Sequence, residues 1–144
     1  MVKKAKSPQL PHPYGAPIDL ATAKRLAQAA AGEAVRIGMN AVIAVVDAGG
    51  HLVYLERSDR AQVASVEVSI HKARCAVAYK RSTRFFEEAV KGGSIHSLSL
   101  DGVIAVDGGL PLIQRGRIVG AIGVSGGLSE EDGRVAAAGA AALP

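Results

Sequence analysis

The sequence predicts an α+β domain built on an antiparallel sheet, and three observations carry that expectation. In residues 108–127, two β-branched, Gly-rich arms flank Arg115-Gly116, which is the pattern of a tight hairpin. A second turn signal, Ala48-Gly49-Gly50, separates the apolar run 40–47 from 51–57 and predicts another hairpin. Ala-rich stretches with apolar residues at helical spacing stand before, between and after these strands. The resulting order is α-β-β-α-α-β-β-β-α, a single domain with a five-stranded sheet flanked by helices.

Residues 1–17 form an arm punctuated by Pro8, Pro11, Pro13 and Pro17, extended where ordered and able to drape over a neighbouring subunit. The domain proper is 18–144. Asp19 is placed to N-cap a first helix, whose Leu20, Ala23, Ala27, Ala30, Ala34 and Ile37 make a slim face until Gly38 ends it. Residues 40–47 lack polar alternation and so predict a central strand. A long helix over 61–79 buries Val63, Val66, Ile70, Ala73 and Val77 and carries Ser65, Ser69 and Lys72 on its flank. Ser82 or Thr83 opens a short helix with Phe85, Phe86 and Val90 that stops at Gly92-Gly93. Residues 94–101 are polar and predict a loop, and 103–106 a short strand before the Gly-rich hairpin. Ser129 with Asp132 forms an N-cap pair for a last helix reaching about Leu143.

Half of the residues are hydrophobic but only 3% are aromatic, so the core is made of small aliphatic side chains and offers little for base stacking. The net charge of +4 comes from Lys and Arg dispersed along the chain, which argues only weakly for a nucleic-acid partner and suits a small anionic ligand equally well. Cys75 stands alone, excluding an internal disulfide and pointing to a reducing compartment. The basic first residues lead into the Pro-rich arm rather than an apolar segment, and no apolar run is long enough to cross a bilayer. The expected location is the cytoplasm, without membrane contact. Phosphate-loop, Cys-x2-Cys, His-Glu-x2-His and Gly-x-Ser-x-Gly patterns are all missing from the sequence.

The residues that remain able to carry chemistry are few. His12 and His51 fall in the arm and at a turn, where solvated imidazoles are ordinary. His71 shares a helix face with Glu67 and Cys75, and His96 lies in the polar loop before the Gly-rich hairpin; both are candidate metal or haem-iron ligands. Lys72, beside Ser65 and Ser69, reads either as a solvated lysine or as a carboxylate-binding or basic group. Arg74, Arg81 and Arg84 surround the following helix junction and make an anion site physically plausible. Gly108 and Gly109 remove side chains where a pocket could open.

In order along the chain, Val45-Val46-Asp47-Ala48-Gly49-Gly50-His51-Leu52, Ser69-Ile70-His71-Lys72-Ala73-Arg74, Thr83, Gly108-Gly109-Leu110-Pro111-Leu112 and Gly120-Ala121-Ile122-Gly123-Val124-Ser125-Gly126 resemble the GlcG/HbpS family, also found as the C-terminal domain of PduO-type proteins. The resemblance covers roughly residues 18–143. It implies a profilin- or PAS-like layered sandwich with a five-stranded antiparallel sheet and assembly into dimers or larger homo-oligomers. For some members it implies haem or tetrapyrrole binding, and others occur beside glycolate or diol catabolism genes. Asp107 stands where the family usually carries a small or apolar residue, and an acid there disfavours haem propionates at that spot.

Two functional classes follow. The first is a homo-oligomeric small-ligand-binding protein that takes haem or a similar tetrapyrrole, with His71 or His96 as axial ligand and Lys72, Arg74, Gly108 and Gly109 lining the site. The second is an enzyme or operon accessory acting on a small carboxylate, hydroxy acid or diol-pathway metabolite. There Lys72 and the nearby arginines hold the anion while His71 or Asp47 moves a proton. A purely structural oligomer is the third reading.

Overall fold

The computed structural model describes residues 9–144. Its elements are α1 (Leu20–Arg36), β1 (Val42–Asp47), β2 (Leu52–Arg57), α2 (Ala64–Tyr79), α3 (Thr83–Lys91), a 3-10 helix (Ile95–Ser99), β3 (Gly109–Gln114), β4 (Arg117–Ser125) and α4 (Ser129–Ala140). The sheet has four strands in the order β2-β1-β4-β3, with every neighbouring pair antiparallel.

The expected fifth strand at 103–106 does not form, and residues 95–99, expected as loop, make the 3-10 turn. Residues 103–105 are half-buried and Val106 is exposed, and the Ile104 backbone lies against the Cys75 thiol of α2 rather than pairing with a strand. β3 therefore remains an edge strand, a position that tolerates its Pro111.

β1 and β4 occupy the middle of the sheet and are covered on both faces, which is why neither alternates in polarity. Ile43, Val45, Ile122 and Val124 point into one core with Leu26, Ala27 and Ala30 of α1 and Val135 and Ala136 of α4. Val46, Ala121 and Ile118 point to the other face, where Ala73, Ala76 and Val77 of α2 cover them. The domain is thus three layers, with α1 and α4 on one side of the sheet and α2 on the other.

Small residues set the spacing of these layers. A Cβ on Gly123 would lie 2.0 Å from Ser69 O, and one on Gly109 would lie 2.4 Å from Lys72 O. Only glycine permits α2 to lie so close on β3 and β4. The β3–β4 turn is of the two-residue primed type, with positive φ at Arg115 (51°) and Gly116 (73°), matching the right-handed twist of its arms. Asp19 caps α1 as expected, its Oδ1 accepting the Thr22 amide at 2.7 Å.

The described part of the arm runs along its own domain. Tyr14 makes a parallel bridge with Ile118, beyond the point where β1 stops pairing with β4, and its hydroxyl donates to Val77 O at 2.6 Å. Residues 1–8, the start of the expected arm, lie outside the described residues.

Candidate functional site

The long helix turns its polar flank inward. Ser65, Ser69 and Lys72 are all buried, Lys72 at 1% exposure, so the solvated-lysine reading does not hold. Lys72 Nζ donates to Asp132 Oδ2 at 2.8 Å and to Val124 O at 2.9 Å, which compensates the cost of removing its charge from water. Asp132 was expected to help cap α4; instead its Oδ1 accepts the Gly127 amide at 2.9 Å, and Glu131 accepts the Leu128 amide at the helix start. A carboxylate three residues after Ser129 looks like a cap in sequence, and only the buried cation below redirects it. Burial pushes the Asp132 carboxyl up from its ordinary value, against the downward pull of Lys72.

Asp107 lies beside this pair. Its Oδ1 accepts the Gly108 amide at 2.7 Å, and its carboxylate rests in a notch of α4 where a Cβ on Gly133 would come within 2.3 Å of Oδ2. Burial raises its pKa, as does Glu87, while Arg84 and Lys72 lower it. Asp107 forms the floor of a cleft of about 830 Å³ between α3 and α4. Arg84, Glu87, Lys91, Glu130 and Arg134 stand on its walls, so both charge signs are present and imidazole is not among the lining groups.

Gly108 and Gly109 border this buried cluster but leave no slot. The space of a Gly109 side chain is taken by Lys72 O and Thr83 Cγ2, and the Gly109 amide donates to Thr83 Oγ1 at 2.9 Å. Thr83, expected as a possible helix cap, instead ties α3 to the start of β3.

A second, more apolar cavity of about 410 Å³ opens on the other side of α2, between the β1–β2 turn and the arm. Its walls are Tyr14, Gly50, His51, Arg74, Val77 and Ala78. The turn is rigid: Asp47 Oδ1 accepts the amides of Gly49 at 2.9 Å and His51 at 3.0 Å, giving Asp47 a structural role. Arg74 Nε donates to Gly50 O at 3.0 Å and locks α2 to that turn. The His51 ring lies over Gly49, where a Cβ would be 3.1 Å from its Cδ2.

The expected site residues therefore divide. Lys72, Gly108 and Gly109 belong to the buried cluster; Arg74 lines the apolar cavity; His71 is exposed on α2, one turn before Arg74 on the same stripe. His96 is exposed on the 3-10 helix and lines none of the cavities described here. Among the described residues, no three His, Cys, Asp or Glu side chains converge as a metal site. No helix among them is long and apolar enough to cross a membrane. Sequence reading passed over His51, whose turn position looks like ordinary solvation, and Asp107 and Asp132 as one unit. The Asp107 signal was visible as an acid beside a Gly pair, but its partner is 25 residues away.

Residues 18–141 match the family model described as haem degrading protein HbpS-like. The chain is 40% identical over 121 residues to an uncharacterized 15.0 kDa protein from the dhaT-dhaS intergenic region of Citrobacter freundii, covering 81% of this chain and 85% of that protein. The crystal structure of the Klebsiella pneumoniae protein ORFY superposes with a TM-score of 0.82 at 33% identity, covering 99% of this chain and 96% of that one. PduOC, solved as a complex with haem, superposes with a TM-score of 0.79 at 29% identity over 88% of this chain and 95% of its own. With a family model spanning nearly the whole domain, this chain belongs to the HbpS-like family, the GlcG/HbpS group that its motifs resemble.

Proposed function

We propose that this protein binds haem or a related tetrapyrrole in the apolar cavity between the β1–β2 turn and α2, and does so as a homo-oligomer. The observation that carries the reading is that His51 and Arg74 line the same apolar cavity. A porphyrin needs an apolar wall, a nitrogen ligand and a cation for its carboxylates. Val77, Ala78 and the Tyr14 ring provide the wall. The His51 ring makes no hydrogen bond among the described residues. Arg74 uses only Nε on the protein, which leaves its terminal nitrogens for a carboxylate. The donor set therefore fits the group, whereas the larger cleft, with Asp107 and three glutamates and no imidazole, does not.

His71, one turn before Arg74, is the second candidate for the iron, and His96 is the control. Bound haem supplies an iron centre whose reactivity its axial ligand and surroundings tune. Val77, Ala78 and the Tyr14 ring would pack against the macrocycle, and Arg74 would take one of its carboxylates. The exposed apolar run of Ile95 (65%), Leu98 (53%) and Leu100 (48%) supports assembly with further copies, since such a patch is rarely left in water.

Titration with haem is expected to give a shifted Soret band at stoichiometric saturation. His51→Ala is expected to abolish or reshape that band, Arg74→Ala to weaken binding, and His96→Ala to leave both unchanged. A wild-type chain that gives no shift, or His51→Ala and His71→Ala variants that both bind as wild type, overturns the reading. Light scattering on the eluting protein tests the assembly, with a monomeric mass as the contrary result.

A further inference from the structure

The cleft between α3 and α4 is a separate site, and its chemistry differs from that of the apolar cavity. Asp107 is only 9% exposed, yet just one of its carboxylate oxygens is matched by a protein donor. Oδ1 accepts the Gly108 amide, while Oδ2 accepts no hydrogen bond among the described residues and borders the cleft. Oδ2 is open to water or to a ligand entering the cleft, and Glu87 beside the carboxylate adds repulsion that a bound cation would relieve. Lys72 does not relieve this oxygen, because its ammonium is committed to Asp132 and Val124 O. The floor of the cleft thus lacks a positive donor.

The walls carry both charge signs, but not all of their cations are held in ion pairs. Lys91 pairs with Glu87 at 3.7 Å, but Arg84 and Arg134 are in no ion pair among the described residues. Both guanidiniums line the same cleft as Asp107, and Arg84 is close enough to draw the Asp107 carboxyl down. Between the two charge signs run Leu110, Leu128 and Ala137, which offer an aliphatic surface. An acid with one oxygen open to the cleft, two guanidiniums outside any close ion pair among the described residues and an apolar strip complement a small zwitterion.

We infer that this cleft binds a free aliphatic amino acid, its ammonium on Asp107 Oδ2 and its carboxylate on Arg84 and Arg134. The site is independent of haem: no residue lining the apolar cavity lines the cleft.

The test uses the full, haem-free chain and three probes: L-leucine, isocaproate, which lacks the ammonium, and isoamylamine, which lacks the carboxylate. Calorimetry is expected to show saturable leucine binding, with each half-ligand at least about tenfold weaker, because a charge-assisted hydrogen bond is lost in each case. Asp107→Asn keeps an acceptor for the Gly108 amide and is expected to weaken leucine by about tenfold while leaving isocaproate unchanged. Arg84→Ala with Arg134→Ala is expected to remove both. Isocaproate binding as well as leucine would make this an anion site and overturn the proposal, as would failure of all three probes on the wild-type chain. Neither result depends on the haem titration, so the two readings fail separately.

Discussion

Lys72 and Asp132 form an ion pair of 2.8 Å inside the domain, their side chains 1% and 4% exposed, and they join α2 to α4 at the C-terminal end of β4. The two helices lie on opposite faces of that sheet. The pair meets beside Val124 near the end of β4, where Gly108 leaves room: a Cβ there would lie 2.9 Å from Lys72 Nζ.

Breaking this pair from one side is expected to be severe. Lys72→Met leaves the Asp132 carboxylate buried without its cation and should cost about 3–5 kcal/mol, read from urea unfolding. Lys72→Met with Asp132→Leu should recover most of that loss, because a well-packed apolar pair replaces two buried charges. Recovery stays incomplete, since the Gly127 amide loses its acceptor. A double variant as unstable as the single one would show that the pair does more than neutralise itself.

Two glycines should respond in opposite directions to the same substitution. Gly123→Ala drives a methyl to 2.0 Å from Ser69 O, a backbone atom that cannot yield without moving α2, and is expected to destabilise strongly. Gly32→Ala, on an exposed turn of α1 with nothing within 4 Å of the new Cβ, is expected to stabilise by about 0.5–1 kcal/mol. Thermal melts of the two variants compare them directly.

The acid limb of the stability curve should carry the Asp107 signature. Its carboxyl is raised above its ordinary 3.8, by burial first and by Glu87 second. The folded chain holds this proton more tightly than the unfolded one. The contribution of Asp107 to stability is therefore complete below 3.8 and is lost as pH rises through the raised folded value. Asp107→Asn should flatten the curve in that window and leave the protein relatively more stable near neutrality, as followed by denaturant unfolding across acetate and phosphate buffers. An unchanged slope would remove Asp107 as its source.

Cys75 should be silent toward thiol reagents in the native state. It is 1% exposed, and burial pushes its thiol up from the ordinary value, lowering the thiolate fraction that reacts. Labelling with a disulfide reagent should proceed at the rate of opening or unfolding, and should accelerate with denaturant. Rapid native labelling would contradict the burial of the Cys75 thiol beside the Ile104 backbone.

Local pattern was enough for much of this fold. The β1–β2 and β3–β4 hairpins, the central place of β1, the Asp19 cap and the body of α2 are written in short-range signals: Gly turns, uninterrupted β-branched runs and helical spacing. The start of α2 is not, since Val63, expected on its buried face, precedes the helix and is exposed. The ordered motifs were also enough to name the family. The run 103–106 was misread because four apolar residues look alike whether they pair or merely pack.

What the sequence by itself determined is the four α-helices, the two hairpins and the small-residue faces that let them approach. What only the tertiary structure decided is where the charges go. Lys72 on a helix flank, Asp107 before a Gly pair and Asp132 at a helix start each have an ordinary local explanation, as N-cap, turn acid or solvated lysine. Their meeting depends on α2 and α4 closing on the same end of β4, a contact between residues 60 positions apart. Once that end is out of water, an unpaired charge becomes too costly, and burial rather than local preference assigns each side chain its partner.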